Sequence, residues 1–379
     1  MSTVDSLLFP LIVENWRGDY SLGDRQILPL SAGLTMQKFP FEADALKQWF
    51  LREARNLPWR GNPTPYAVWV SEVMLQQTQV SVVKDYFLRW MKRFPTIEVL
   101  SAAPLEEVIK MWEGLGYYSR ARNLHAAARF LVEKYAGSLP STRSELSEVK
   151  GLGPYTIGAI LSFAFHQKAA AVDGNVIRVL SRYFAIEDDV QKSATLKKIW
   201  AIAEEILPES QPWLIAEGLI ELGASVCKRE AACWACPLRQ GCSAFKQGRQ
   251  EELPKKGKKA EITSLSRDVF IILHEESLLL KKGLEGQVMA GLYEFPYVER
   301  KKMSFPFSFA AKKVKKLPET EHHFTRFKVK LYPTFWRAAE KPELPGHEWI
   351  SLKEIHRHPF SAGHRKILGS MFNSCEFET

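Results

Sequence analysis

Four cysteines, Cys227, Cys233, Cys236 and Cys242, fall within sixteen residues in the pattern C-x5-C-x2-C-x5-C, with Pro237 directly after the third. Thiolates are soft ligands, and four in one compact loop suit either a tetranuclear iron–sulfur cluster or a single zinc ion. Zinc ribbons usually bring two separate C-x2-C knuckles, and this loop has one, which favours the cluster. Such crowding also points to a reducing compartment, the cytoplasm, rather than to a disulfide framework. Cys375 lies far away and reads as a free thiol.

Residues 149–159 (V-K-G-L-G-P-Y-T-I-G-A) carry a second signal. Gly151 and Gly153 permit a tight hairpin whose N–H groups, with the partial positive charge of the following helix N-terminus, can hold a phosphate. A G-x-G turn by itself is equally an ordinary helix connection. Further on, Val172-Asp173-Gly174-Asn175 sets a carboxylate before the apolar run 176–180, where a helix N-cap is the plain reading. Glu72 sits beside a stripe of apolar residues, and a Glu in that setting is either a solvated side chain or an acid kept protonated by its surroundings.

These groups must be held by a helical framework. Val70, Val73, Met74, Val80, Val83, Phe87 and Trp90 are spaced by three, four and seven, which predicts one buried helical stripe with Gln76 and Gln79 on the same edge as Glu72. Residues 121–131 and 157–165 also read as helices, so residues 41–245 should be almost wholly α. Residues 246–260 carry six basic residues against Glu251 and Glu252, the profile of a solvated linker. Beyond Ser264 the pattern changes to short β-branched and aromatic runs at 268–274, 277–281, 324–332 and 334–337, the marks of a small α+β domain. Residues 1–38 show no sustained period and take no assigned role.

Composition sets the outer limits. At 379 residues, with 25% charged and 46% AVILMFWYC side chains, the chain is globular and long enough for two domains. Its net charge of +9 favours polyanionic partners. No stretch is apolar enough to span a bilayer, and residues 7–13, with Pro10 and no basic flank, do not read as a secretory signal.

Several ordered motifs resemble the MutY-type adenine DNA glycosylases, helix–hairpin–helix enzymes that carry an iron–sulfur cluster. They are Leu57-Pro58-Trp59-Arg60, residues 69–80 (W-V-S-E-V-M-L-Q-Q-T-Q-V), residues 114–124 (G-L-G-Y-Y-S-R-A-R-N-L), the 149–159 hairpin and Val172-Asp173-Gly174-Asn175. The likeness is dense over residues 41–245 and weaker beyond. It implies an α+β multidomain chain: an extension (1–38), an all-α glycosylase domain (39–245) with the cluster loop 227–242, a basic linker (246–263) and a Nudix-like α+β DNA-recognition domain (264–379).

The resemblance also implies roles. Glu72 would be the general acid for the leaving adenine, and Asp173 the carboxylate facing the anomeric carbon, oriented by Asn175. Two carboxylates of opposite protonation are what glycosidic cleavage through a cationic sugar requires. Tyr155 stands where bifunctional relatives of the endonuclease III type carry the Schiff-base lysine, so a lyase step is disfavoured. Gln77 and Tyr117 match wedge residues that fill the stack when a base is extruded. Trp59 and Arg60 match the base-pocket loop, Gly151 and Gly153 the phosphate hairpin, and Glu217 an acidic position near the base. The four cysteines would hold one [4Fe-4S] cluster. The partner would be double-stranded DNA containing an adenine mispair, met by a monomer. Competing readings are a bifunctional glycosylase/lyase and a DNA-binding homologue without catalysis.

Two departures from the family pattern stand out. Five residues, rather than the usual six, separate the first two cysteines. Where the family reads 8-oxoguanine with a Phe-Ser-His hairpin tip, this chain has Phe324-Thr325-Arg326. The segment after Gly291 lacks the Glu-rich helix of a Nudix hydrolase, so no nucleotide pyrophosphatase activity is expected.

Overall fold

The computed structural model describes residues 41–257, 262–300, 305–324 and 326–373. Residues 1–38, Thr325 and Cys375, on which some of the expectations above fall, lie outside them. Among the described residues twelve α-helices precede the sheet: α1 (Ala43–Glu53), α2 (Pro65–Leu75), α3 (Val80–Arg93), α4 (Ile97–Ala102), α5 (Leu105–Met111), α6 (Ser119–Tyr135), α7 (Arg143–Glu148), α8 (Pro154–Ala159), α9 (Gly174–Tyr183), α10 (Ser193–Glu205), α11 (Pro212–Ser225) and α12 (Ser243–Lys246). Among the described residues these are followed by β1 (Thr263–His274), β2 (Ser277–Lys282), β3 (Tyr293–Glu294), β4 (Tyr297–Glu299), β5 (Ala311–Lys316), β6 (Thr320–Phe324), β7 (Phe327–Ala338), β8 (His347–Ser351) and α13 (Ala362–Asn373). By contacts the chain divides into two units. Among the described residues one holds residues 41–80 and 138–257; the other holds Ser81–Gly137 and the sheet region.

In the first unit α2 is the central helix. Thr64 caps it by accepting from Ala67 N, Pro65 sits in its first turn, and every residue from Tyr66 to Met74 is buried. A helix apolar on all sides belongs inside a core. The long stripe expected over 70–90 is broken into two helices: Gln77 takes a left-handed φ of 59°, so Gln79 does not share the helix of Glu72. The periodicity survives in α3, where Val83, Phe87 and Trp90 are buried, but a break of a few residues leaves spacing nearly intact and is invisible to a period count.

The hairpin joins α7 to α8 through Gly151, at φ +92°, and Pro154 opens α8. The expected helix 157–165 continues α8 as a π-turn over Ile160–Ala164. Two glycines fix close approaches around it. A Cβ at Gly158 would lie 1.9 Å from the Ala170 carbonyl oxygen, and one at Gly223 would lie 2.5 Å from the Asn175 Cβ. Only glycine lets the segment before Asp173 pass over α8 and lets α9 lie against α11.

In the second unit α4 packs on α6, and Trp90, Phe94 and Trp112 share edge-on ring contacts. The sheet runs β3-β2-β1-β7-β5, with β4 on β1, β6 on β7 and β8 on β2; β1 and β7 are parallel. Both faces of β1 are covered. Val269, Ile271 and Leu273 join a core closed by Ile367, Leu368 and Met371 of α13, while Phe270 and Ile272 meet Phe309, Trp336 and Trp349. The runs expected at 324–332 and 334–337 form one strand, β7, and Phe324 ends the strand before it.

Candidate active site

Glu72 is buried on α2, and the Tyr155 hydroxyl from α8 donates to its Oε2 at 2.5 Å. Burial pushes the Glu72 carboxyl up to about 7; the Tyr155 bond and Arg60 pull the other way, while Asp173 and Glu217 add to the rise. Tyr155 is itself held well above its ordinary range, by burial first and then by the two carboxylates. Gln76, at the end of α2, donates from Nε2 to the Thr156 hydroxyl at 3.4 Å.

Asp173 is the N-cap of α9. Its Oδ1 accepts from Asn175 N at 2.9 Å and Val176 N at 2.8 Å, and its Oδ2 accepts from Asn175 Nδ2 at 2.7 Å. Burial still raises its pKa, against these three donors and the charge of Arg178. Arg178 in turn donates to Asn175 Oδ1 at 2.7 Å, to the Gly223 carbonyl at 2.7 Å and to the Cys227 carbonyl at 2.7 Å.

The loop carrying Trp59 and Arg60 is tied to α11. Arg60 pairs with Glu217 at 2.9 Å and with Glu221 at 2.9 Å, and its guanidinium stands 5.3 Å from the Phe50 ring centroid. Arg55 forks onto the fully buried Glu221 at 2.5 and 3.1 Å. Burial would raise Glu221, but the two guanidinium groups outweigh it and hold the carboxyl below its usual range; Glu217 stays raised by burial. Trp59 is buried.

All four cysteines line one cavity, together with Arg182, Leu222, Leu238 and Phe245. Arg182, itself buried, donates to Cys227 Sγ at 3.3 Å and to the carbonyls of Lys228, Arg229 and Leu253. Burial pushes the Cys236 thiol up to about 12 and also raises Cys233 and Cys242. Thiols so placed ionise only against a compensating positive charge.

The first unit therefore brings together Glu72, Tyr155, Asp173 and Asn175, with Arg60 and Glu217 alongside. In the second unit Tyr117 has a left-handed φ of 46° and is half-buried. There, Phe324 pairs with Phe327 across the β6–β7 turn, its ring against those of Phe327 and His322, and exposed Arg326 stands 5.4 Å from the Phe327 ring. Sequence reasoning missed Arg55, Arg178, Arg182 and Glu221. The available signal was charge inside apolar helices: Arg178 and Arg182 are four apart in α9, as are Glu217 and Glu221 in α11, and buried charges need partners.

Comparison with known proteins accords with this arrangement. Residues 70–205 match the HhH-GPD superfamily base excision DNA repair protein model, and residues 268–370 match the NUDIX domain. The chain is 45% identical over 222 residues to the adenine DNA glycosylase of Rattus norvegicus, covering 55% of this chain and 43% of that protein, so it spans less than half of that relative. It is 35% identical over 267 residues to the adenine DNA glycosylase of Buchnera aphidicola, covering 70% of this chain and 76% of that one. The solved structure of a thermostable thymine-DNA glycosylase aligns with 54% of this chain and 95% of its own, at 27% identity and a TM-score of 0.50. With a helical helix–hairpin–helix region, a Nudix-like α+β domain and this extent of likeness, the chain belongs to the adenine DNA glycosylase family of base excision repair.

Proposed function

We propose that the chain is a monofunctional glycosylase that hydrolyses the N-glycosidic bond of adenine mispaired with 8-oxoguanine or guanine in duplex DNA. The observation that carries this reading is the buried constellation of Glu72, Tyr155 and Asp173, with the Glu72 carboxyl pushed up to about 7. Adenine, turned out of the stack, would take a proton on ring nitrogen 7 from Glu72. The bond between C1′ and N9 then breaks with its electron pair leaving on the base. Asp173, held by Asn175 and the α9 backbone, supplies the negative charge that answers the cationic sugar. Water adds to C1′, and its proton returns to the carboxylate of Glu72.

Tyr155 has no amine for a Schiff base, and its hydroxyl is engaged by Glu72, which speaks against a bifunctional lyase. Retention of both carboxylates speaks against a homologue without catalysis. Trp59 and Arg60 would line the base pocket, Gly151 and Gly153 hold a phosphate, and Gln77 and Tyr117 fill the vacated stack. Phe324, Thr325 and Arg326 would meet the opposite base. The constellation is complete within one chain, so a monomer suffices, and we place it in the cytoplasm. No helix among the described residues is long and apolar enough to cross a membrane.

Cys227, Cys233, Cys236 and Cys242 would hold one [4Fe-4S] cluster. They line one shared cavity, and a single C-x2-C knuckle in place of two favours the cluster over one zinc ion. When bound, the cluster fastens the loop and supplies the positive charge that keeps the thiolates ionised.

Single-turnover release on duplexes with adenine opposite 8-oxoguanine, guanine or thymine tests the reading. Adenine release with strand breaks only after alkali is expected. Breaks without alkali, or no release, would refute it.

A further inference from the structure

The segment that presents Tyr117 is a built loop. Trp112 Nε1 donates to the Gly116 carbonyl at 3.0 Å, and Arg120 Nη2 donates to the carbonyls of Leu115 and Gly116 at 2.9 and 3.1 Å. The Arg120 guanidinium stands 5.1 Å from the Trp112 ring and 5.7 Å from the Tyr117 ring. Tyr86 donates its hydroxyl proton to the Glu113 carbonyl at 2.6 Å, and a Cβ on Gly114 would lie 2.2 Å from that hydroxyl. Gly114, Gly116 and Tyr117 take φ of +105°, +70° and +46°. A tyrosine in the left-handed region is costly and persists only where its surroundings impose it.

Glu113 opens this loop, and its side chain is only 16% exposed. Its Oε2 accepts from Lys110 Nζ at 2.7 Å. Its Oε1 accepts from Phe360 N at 2.9 Å and from Arg365 Nε at 2.7 Å, with Arg365 Nη2 at 2.6 Å. Lys110 and Arg365 both reach the His358 carbonyl, at 3.1 and 2.7 Å. Tyr118 accepts from Gly114 N at 3.3 Å and donates to the Phe360 carbonyl at 3.4 Å. Residues 358–365 belong to the Nudix-like region, so one carboxylate gathers the wedge loop and that domain. No bond-making step of the proposed reaction uses any of these groups.

We propose that Glu113 is a positioning residue that fastens the Tyr117 loop to residues 358–365, so that the domain meeting the opposite base and the loop entering the stack act as one body. The proposal rests on the reading of Tyr117 as a wedge. It assigns the partly buried Glu113–Arg365 pair to base extrusion rather than to stability alone, since a buried ion pair is by itself weak evidence for stabilisation.

The test uses the full-length protein and a duplex with 2-aminopurine beside the target adenine, whose fluorescence rises on unstacking. Tyr117→Ala, Glu113→Gln and Arg365→Gln are compared with wild type by stopped flow, singly and with each of the latter two combined with Tyr117→Ala. Each single variant should slow the rise roughly five- to tenfold, in the range of ordinary coupling between sites. Each double should be no slower than Tyr117→Ala alone. A slow Tyr117→Ala beside unaltered Glu113→Gln and Arg365→Gln overturns the proposal, as do doubles whose effects multiply. An unaltered Tyr117→Ala instead removes the wedge reading itself. Arg365→Gln leaves Glu113 bonded to Lys110 and Phe360 N, so it decides the matter if Glu113→Gln fails to fold.

Discussion

Glu72→Gln isolates the proton on which the proposed chemistry depends. The carboxyl goes from an ordinary 4.5 to about 7 in the folded chain, chiefly through burial. At about 1.4 kcal/mol per unit this is roughly 3 kcal/mol of linkage. A raised acid binds more protons folded than unfolded, so the group's contribution is intact at low pH. It is lost as pH rises from 4.5 through about 7, and is flat above that. Glutamine keeps the shape without titrating. Between pH 5.5 and 8.5 the wild type should therefore lose about 2 kcal/mol relative to Glu72→Gln, a shift of roughly 1 M in the difference between urea midpoints. Single-turnover adenine release by wild type should fall about tenfold per pH unit above 7, and Glu72→Gln should be slower by on the order of a thousandfold. A stability difference identical at both pH values, or wild-type rates flat to pH 9, would show that Glu72 does not carry the proton.

Asp173→Asn keeps an N-cap, so unfolding should change by no more than about 1 kcal/mol, while adenine release falls several hundredfold and duplex binding stays within roughly tenfold. Near-normal single-turnover rates would return Asp173 to a capping role only. The purified protein should be yellow-brown, and Cys236→Ser should bleach the visible absorbance; metal analysis with one zinc and no iron would contradict the cluster. Thr325→Ala and Arg326→Ala should each narrow the ratio of release opposite 8-oxoguanine to that opposite guanine, the Arg326 effect shrinking with added salt. Unchanged ratios in both would leave that turn without a recognition role.

The parts of the fold readable from sequence are those governed by repeating patterns. Val83, Phe87 and Trp90 mark α3 because a buried helical face repeats every three or four residues. The run at 269–273 marks β1 because both faces of that strand are buried. The break at Gln77 was not readable, since φ of a single non-glycine residue leaves no trace in hydrophobic spacing. Nor was the grouping of residues 81–137 with the sheet region. It depends on single long-range contacts such as Glu113 with Arg365, 252 positions apart, and no local pattern encodes a partner at that distance. Asp173 shows the opposite case: its plain reading as an N-cap is realised, and the same two backbone N–H groups that make it a cap also hold the carboxylate that the proposed chemistry would use.

The charges that sequence reading missed bear on how two buried acids could take opposite roles in the proposed reaction. Arg60 is close enough to lower the Glu72 pKa, and a free guanidinium there would keep that carboxyl ionised. Its charge is instead divided between Glu217 and Glu221, and Arg55 completes the neutralisation of Glu221. Glu72 is left with a phenol donor and two neighbouring acids that oppose its ionisation, which suits the proposed proton donor. At Asp173 the rise caused by burial is opposed by three N–H donors and by Arg178. By taking Asn175 Oδ1 it fixes the amide so that Nδ2 faces Asp173, and three N–H groups then point at a carboxylate that can only accept. Burial raises both acids; what differs is the donors that face them, one phenol hydroxyl at Glu72 against three N–H groups and Arg178 at Asp173. Arg178 on α9 and Glu217 and Glu221 on α11 are charges inside apolar helices, which marks them on the sequence, whereas Arg55 and Arg60 lie in the loop between α1 and α2 and carry no such mark.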